Sequence, residues 1–155
     1  MANNQSSLLL VCTGNTCRSQ MAHAMCVDIC AKQGFDLNIA SAGIRAVNGS
    51  PSTHHGVAVL ANVGIDWQGF SQQLDSSLLN KADHVWVMTD EHLNYAQTLI
   101  SARENSATPV IELLAYDQEV VDPLGLGLEA YEALYAQLVQ LLPTRLAALC
   151  GPSAA

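Results

Sequence analysis

One change of hydrophobic period, between Leu8 and Gly34, constrains the fold of this chain more than any other feature. The run Leu8–Val11 is short and continuously apolar, which is typical of a central parallel strand buried on both faces. From Arg18 the apolar residues recur every four positions, which predicts a helix that ends near Gly34. A buried strand that leads directly into a helix is the repeating unit of a parallel α/β sheet.

The remainder of the chain repeats this alternation. Further strands are predicted at Leu37–Ala40, Val85–Met88 and Val110–Ile111. Four further helices are predicted: from Ser52 and Thr53 to Val63, over Leu74–Asn80, from Thr89 towards Ser101, and from Leu128 to Leu142. Pro143 is expected to kink or restart the last of them. We therefore expect a single α/β domain over residues 1–155, with a four-stranded parallel sheet flanked by helices on both faces. Residues 151–155 read as a frayed tail.

The segment between the first strand and the first helix carries the chemistry. It reads Cys12-Thr13-Gly14-Asn15-Thr16-Cys17-Arg18-Ser19. Gly14 and Asn15 tolerate left-handed backbone angles, which turn successive amides inwards into a nest for an anion. The helix N-terminus and the Arg18 guanidinium add positive charge and parallel hydrogen bonds. The pattern predicts a phosphate-binding loop over residues 13–18 at the carboxyl end of the first strand.

Cys12 begins this loop and is the candidate nucleophile. A positive helix end and a nearby guanidinium favour the thiolate, so we expect its pKa to be lowered. Ser19 is placed to donate a hydroxyl hydrogen bond to the sulfur, and Asn15 to position the loop. An ionised sulfur facing a bound electrophile is the arrangement of covalent catalysis. The loop lacks the Gly-Lys-Ser/Thr ending of a Walker-type nucleotide site.

Composition narrows the range of partners. Six Lys and Arg residues against fourteen Asp and Glu give a net charge of −8, which argues against nucleic-acid and membrane-surface binding. The N-terminus has no basic residue and only a five-residue apolar run, so we expect no signal peptide, a cytoplasmic location and reduced cysteines. His23, Cys26 and Cys30 share a helix face without a fourth ligand, so neither a metal nor a cofactor is predicted. Cys26, Cys30 and Cys150 read as small core residues.

The loop resembles the signature of the low-molecular-weight protein tyrosine phosphatase family, C-x-G-N-x-C-R-S. Ser41-Ala42-Gly43, Gly64-Ile65-Asp66 and Asp122-Pro123 also fall where that family has similar elements. The resemblance implies a metal-free protein phosphatase with a phosphocysteine intermediate, in which Cys12 and Arg18 act with Asp122 as general acid and then base. It also implies that Cys17 is a redox partner that protects Cys12 through a reversible disulfide. In place of the His and Arg that often brace Asn15 in the family, this chain has Gly69-Phe70-Ser71-Gln72.

The resemblance implies a phosphorylated protein as substrate and leaves open which side chain carries the phosphoryl group. Thr16 resembles the threonine that the arginine phosphatase branch has at this loop position. Aliphatic Val47 instead resembles the residue found in some bacterial tyrosine phosphatases that act on capsule-type kinases. Val47 and Leu124 are the predicted pocket residues. We therefore expect phosphotyrosine hydrolysis, with phosphoarginine as a second substrate class, a bacterial-type kinase as a partner and a monomeric state.

Two alternatives stay open at this stage. The string from Cys12 to Met21 is also similar to arsenate reductases, although Met88–Ile100 contains no cysteine to resolve an arsenate adduct. The other alternative is a phosphate-binding module without catalysis.

Overall fold

A computed structural model describes residues 5–101, 108–116 and 118–151 as strands that alternate with helices. The elements, in chain order, are β1 (Ser6–Cys12), α1 (Arg18–Gln33), β2 (Leu37–Gly43), α2 (His54–Asn62), α3 (Ser76–Lys81), β3 (His84–Val87), α4 (Asp90–Ser101), β4 (Val110–Leu113) and α5 (Leu128–Cys150). The strands form one parallel sheet in the order β2-β1-β3-β4. This confirms the predicted α/β fold with a four-stranded parallel sheet.

The alternation of side chains along β1 explains why helices cover both faces of the sheet. Leu8 and Leu10 point into a core shared with α1, α2 and α5, whereas Leu9 and Val11 point into a second core shared with α3 and α4. All four side chains are at most 2% exposed, as expected for a strand buried on both faces. The central position of β1 puts its carboxyl end between the ends of β2 and β3.

Several predicted bounds differ from the observed ones for local physical reasons. β2 continues to Gly43 because residues 41–43 pair with residues 10–12 of β1. α3 begins at Ser76 because the Asp75 side chain caps it by accepting a hydrogen bond from the Leu78 amide at 2.9 Å.

The prediction that Pro143 restarts the last helix was wrong. α5 is one helix of 23 residues that includes Pro143. Pro143 and Val139, whose carbonyl loses its helical partner, both lie on the exposed side, where water can replace the lost hydrogen bond. α5 is long and apolar enough to span a membrane by those two measures alone, and its leucines at 134, 138, 142 and 146 are buried in the core. Of the predicted tail, residues 152–155 lie outside the described residues.

Candidate active site

The Cys12 loop (Cys12–Ser19) connects the end of β1 to the first turn of α1. Asn15 takes a left-handed conformation (φ 57°), which bends the loop back over the helix N-terminus. Gly43 of the neighbouring strand lies directly beneath the loop. A Cβ at Gly43 would lie 2.4 Å from the Thr13 carbonyl oxygen and 2.9 Å from the Asn15 amide. The loop can therefore adopt this path only over a glycine.

The Cys12 sulfur is held by a chain of polar contacts. Its Sγ lies 2.9 Å from Ser19 Oγ, which accepts a hydrogen bond from Asn15 Nδ2 at 2.6 Å. Asn15 Oδ1 in turn accepts from the Gln72 amide at 3.0 Å, so the backbone of the 69–72 segment braces Asn15. Cys12, Asn15 and Ser19 are all buried, at 2% exposure or less. Sequence analysis placed Ser19 and Asn15 in these supporting roles, but it named Gln72 only within the segment that replaces the family's bracing His and Arg.

Two opposing effects act on the Cys12 thiol. Burial is the larger and raises its pKa above the ordinary value. The Ser19 hydroxyl, the Ser19 and Asn15 amides and the Arg18 guanidinium each lower the pKa of the same thiol. The lowered pKa expected from sequence is therefore not reproduced, because the sequence pattern does not include the cost of removing the sulfur from water. The groups that lower the pKa are those that would stabilise the thiolate.

Arg18 is buried, and two of its guanidinium nitrogens donate hydrogen bonds within the protein. Its Nη1 donates to the Val120 carbonyl and its Nη2 to Thr13 Oγ1, both at 3.1 Å. Nη2 also lies 3.4 Å from Asp122 Oδ2. The remaining donor, Nε, is buried and has no hydrogen-bond partner among the described residues. An unpaired buried donor on a guanidinium is costly, and an anion in the loop would satisfy it.

Asp122 comes from the segment between β4 and α5. Its Oδ1 accepts from the Leu124 amide at 3.0 Å, which forms a turn across the buried Pro123. Its side chain is 42% exposed, so it can meet both a bound substrate and water. Asp122 is thus fixed in direction by the turn and by Arg18.

These residues surround one cavity of about 230 Å³, here called the Cys12 cavity. Its lining residues are Cys12, Thr13, Gly14, Thr16, Cys17, Arg18, Arg45, Asp122 and Leu124. Of the two predicted pocket residues, Leu124 lines the cavity and Val47 does not, since Val47 is 72% exposed beyond the end of β2. Arg45 occupies that wall instead, held by two hydrogen bonds to the Glu91 carboxylate at 3.0 and 3.3 Å.

Cys17 is a buried free thiol on the same cavity. Its Sγ lies 3.4 Å from the hydroxyl of Tyr131 on α5, a residue that sequence analysis did not assign to the site. Burial, with this hydrogen bond, raises the pKa of Tyr131 above its ordinary value. The phenol therefore stays protonated beside the thiol.

His92 is the residue that sequence analysis most clearly missed. Its ring is fully buried, and its Nε2 lies 2.9 Å from Thr13 Oγ1. Burial, followed by the Arg18 charge, lowers the pKa of His92 to about 4, so its ring is neutral at physiological pH. Loop residue Thr13 is therefore supported by α4 as well as by Arg18.

The other cysteines and histidines singled out from sequence lie outside this cavity. Cys26 and Cys30 are buried along α1, where burial raises both pKa values, that of Cys30 to about 11. Within residues 5–101, 108–116 and 118–151, no three His, Cys, Asp or Glu side chains are grouped so as to hold a metal ion.

Comparison with known proteins places this geometry in context. Residues 7–151 match the family model described as low molecular weight phosphotyrosine protein phosphatase. The chain is 31% identical over 136 residues to a protein-arginine-phosphatase of Bacillus subtilis (strain 168), covering 87% of this chain and 91% of that protein. It is 34% identical over 128 residues to the probable low molecular weight protein-tyrosine-phosphatase EpsP of Ralstonia nicotianae, covering 81% and 83%.

A solved structure extends the similarity to three dimensions. It is a mutant of the YwlE arginine phosphatase with a phosphorylated active-site serine. It aligns with a TM-score of 0.82 and 30% identity over 92% of this chain and 95% of that one.

Proposed function

The chain belongs to the low molecular weight phosphotyrosine protein phosphatase family, whose members are phosphoric monoester hydrolases, and we propose that it hydrolyses phosphorylated proteins through a phosphocysteine on Cys12. Arg18 and the amides of residues 13–18 bind the phosphoryl group. Asp122 transfers protons in both steps, while Asn15 and Ser19 position the loop. No metal or cofactor has a role in this reaction scheme.

In the first step the Cys12 thiolate attacks phosphorus, and the bond from phosphorus to the leaving oxygen breaks. The protonated Asp122 carboxyl gives its proton to that oxygen, so the dephosphorylated side chain departs neutral. Arg18 Nε, which lacks a partner among the described residues, donates to a phosphoryl oxygen whose charge it offsets.

In the second step water replaces the sulfur on phosphorus. The Asp122 carboxylate takes a proton from water as its oxygen attacks, and the phosphorus–sulfur bond breaks to regenerate the thiolate. The Ser19 hydroxyl, 2.9 Å from Cys12 Sγ, stabilises the departing sulfur. The Asp122 side chain is partly exposed, so it can reach the water that this step consumes.

One observation carries the proposal: a buried sulfur, a partly exposed carboxylate and a buried guanidinium N–H that finds no partner among the described residues meet in one cavity. The phosphorylated active-site serine of the related YwlE mutant supports a phosphoryl group bound covalently in such a cavity. The tyrosine side chain of a substrate would lie between Leu124 and the Arg45 guanidinium, which offer an apolar contact and a cation–π contact.

Phosphoarginine is the second candidate substrate, and Thr16 is the observation that favours it. Thr16 lines the Cys12 cavity, where its hydroxyl can bond a substrate nitrogen, and the relatives include proteins named protein-arginine-phosphatase. Arg45 weighs against it, because a substrate guanidinium would meet a second guanidinium at the cavity wall.

Arsenate reduction fits less well. Among the described residues, Cys17 is the only cysteine besides Cys12 that lines the cavity. Cys26 lies eight residues beyond Arg18, where α1 begins, or about 12 Å along the helix axis. We assign Cys17 to a protective disulfide with Cys12 when a peroxide oxidises the nucleophile to sulfenic acid; the Cys17 thiol attacks and water leaves. Such an enzyme would work in a reducing compartment such as the cytoplasm, downstream of a protein kinase.

Turnover of para-nitrophenyl phosphate, reduced and free of metal at about pH 6, tests the reaction. Cys12→Ser should abolish turnover and Asp122→Ala should reduce it about a hundredfold or more. A folded, reduced wild type without turnover would instead favour arsenate chemistry or a binding module.

Peptides carrying phosphotyrosine or phosphoarginine then identify the substrate. Thr16→Ile should leave phosphotyrosine hydrolysis intact and reduce any phosphoarginine hydrolysis. An unchanged preference would remove Thr16 from the account of specificity.

A further inference from the structure

The first turn of α4 is closed by a reciprocal pair of hydrogen bonds between Thr89 and His92. The Thr89 amide donates to His92 Nδ1 at 3.1 Å, and the His92 amide lies 3.4 Å from Thr89 Oγ1. This is the geometry of a capping box, in which a Glu or Gln usually takes the position that His92 occupies. Glutamate at this position would satisfy the cap, so the cap alone does not require an imidazole.

The cap decides which ring nitrogen of His92 carries the proton. Since Nδ1 accepts from the Thr89 amide, the single proton of the neutral ring must be on Nε2. Nε2 lies 2.9 Å from Thr13 Oγ1 and therefore donates to it. Burial and the Arg18 charge hold the pKa of His92 at about 4, which keeps the ring in this neutral form.

Thr13 Oγ1 consequently receives two donors, His92 Nε2 and Arg18 Nη2, at 2.9 and 3.1 Å. A hydroxyl oxygen has two lone pairs and one proton, so both acceptor sites are filled. The hydroxyl proton must point elsewhere, and Thr13 lines the Cys12 cavity. The contacts thus turn a freely rotating hydroxyl into a donor aimed at the cavity.

We propose that His92 is a positioning residue that orients the Thr13 hydroxyl as a hydrogen-bond donor to the bound phosphoryl group. This inference rests on the proposed function for the identity of the reaction, although the same orientation would favour any phosphate-like anion. It also couples the start of α4 to the Cys12 loop, two segments that follow the adjacent strands β3 and β1.

A double-mutant cycle tests this role. Thr13→Val removes the hydroxyl and His92→Asn removes the group that reaches it, while Asn still offers an acceptor for the Thr89 amide. Each single variant should lower kcat/KM for para-nitrophenyl phosphate, and the affinity for inorganic phosphate, about tenfold. If His92 acts through Thr13, the double variant should have the same kcat/KM and phosphate affinity as Thr13→Val alone.

A conservative replacement separates positioning from packing. His92→Gln can cap Thr89 with Oε1 and still donate to Thr13 from Nε2, so it should restore most of the activity lost in His92→Asn. His84→Asn, at the opposite end of the sheet, is the matched control and should leave kcat/KM unchanged.

Two results would overturn the proposal. One is a double variant whose kcat/KM and phosphate affinity are about a hundredfold below wild type, because the two substitutions would then act independently. The other is a His92→Gln variant that loses as much kcat/KM and phosphate affinity as His92→Asn. Inorganic phosphate binding, measured by calorimetry on the same variants, decides the question even if the wild type shows no turnover. Failure of the proposed reaction and failure of the His92 role are therefore read from different measurements.

Discussion

Asn15 Nδ2 donates a 2.6 Å hydrogen bond to Ser19 Oγ and so fixes the direction of the Ser19 hydroxyl. With one lone pair occupied by Asn15, the serine hydroxyl has its proton available for a thiolate at Cys12, whose sulfur lies 2.9 Å away. The Ser19 hydroxyl is the largest of the contributions that lower the Cys12 pKa against the effect of burial. The Ser19 hydroxyl therefore lowers the pKa of the nucleophile more than the charge of Arg18 does.

Ser19→Ala should raise the Cys12 pKa further, because the thiolate loses a donor while the thiol stays buried. The thiolate fraction at neutral pH falls, and alkylation of Cys12 by iodoacetamide should slow about tenfold. Alkylation rates as a function of pH measure this. Ser77→Ala on exposed α3 is the control, and equal rates for Ser19→Ala and wild type would contradict the assignment.

Asp122→Asn should affect poor leaving groups more than good ones. Para-nitrophenolate leaves readily without a proton, whereas phenolate does not, so loss of the general acid should cost phenyl phosphate about tenfold more in kcat/KM. Steady-state rates on the two esters provide the test. Asp66→Asn, on the surface, should change neither rate; equal losses on both esters in Asp122→Asn would limit Asp122 to a role in binding.

Gly43→Ala should displace the Cys12 loop. The new Cβ would lie 2.4 Å from the Thr13 carbonyl oxygen, which is backbone and cannot move without the loop. Phosphate affinity should fall at least tenfold, with destabilisation of about 1–3 kcal/mol. Calorimetry and thermal unfolding measure the two effects. Gly127→Ala, where a Cβ meets no atom within 4 Å, should be tolerated, and equal behaviour of the two variants would contradict this account of the loop.

Two histidines, the buried His92 and the partly buried His23, predict that acidification destabilises the fold. Burial lowers the pKa of His23 and of His92 to about 4, below the ordinary 6.5. Between these values the unfolded chain binds protons that the native chain does not. The free energy of unfolding should therefore fall as the pH drops, by about 1.4 kcal/mol per pH unit for each histidine.

Urea titrations at about pH 7, 6 and 5 measure this slope. His23→Asn should remove about half of the histidine contribution to it, whatever the variant does to stability at pH 7. A slope that is the same in wild type and His23→Asn would show that the pKa of His23 is not lowered in the native protein.

The Cys12 loop could be predicted because its eight residues are contiguous and lie between a buried strand and a helix. His92 could not, since it lies 79 positions from Thr13 and reaches it only because β3 pairs with β1. The one local signal was the Thr89-x-x-His92 spacing at a predicted helix start, which is that of a capping box.

The wall of the cavity shows a second limit of sequence reasoning. Val47 was chosen for its aliphatic character in a loop expected to begin at Ser41. β2 instead runs to Gly43, which puts Arg45 beside the Cys12 loop, where its amide donates to the Thr13 carbonyl at 2.9 Å. An error of three residues in the end of a strand was enough to change which side chain lines the Cys12 cavity.

Trapping the covalent intermediate tests the central claim most directly. Asp122→Ala should still be phosphorylated by para-nitrophenyl phosphate but hydrolyse the intermediate slowly, so rapid quenching during turnover should accumulate it. Mass spectrometry of the digested protein should then find the phosphoryl group on the Cys12 sulfur, and find none in a Cys12→Ala variant. A phosphoryl group on another residue, or turnover that persists in Cys12→Ala, would contradict the account.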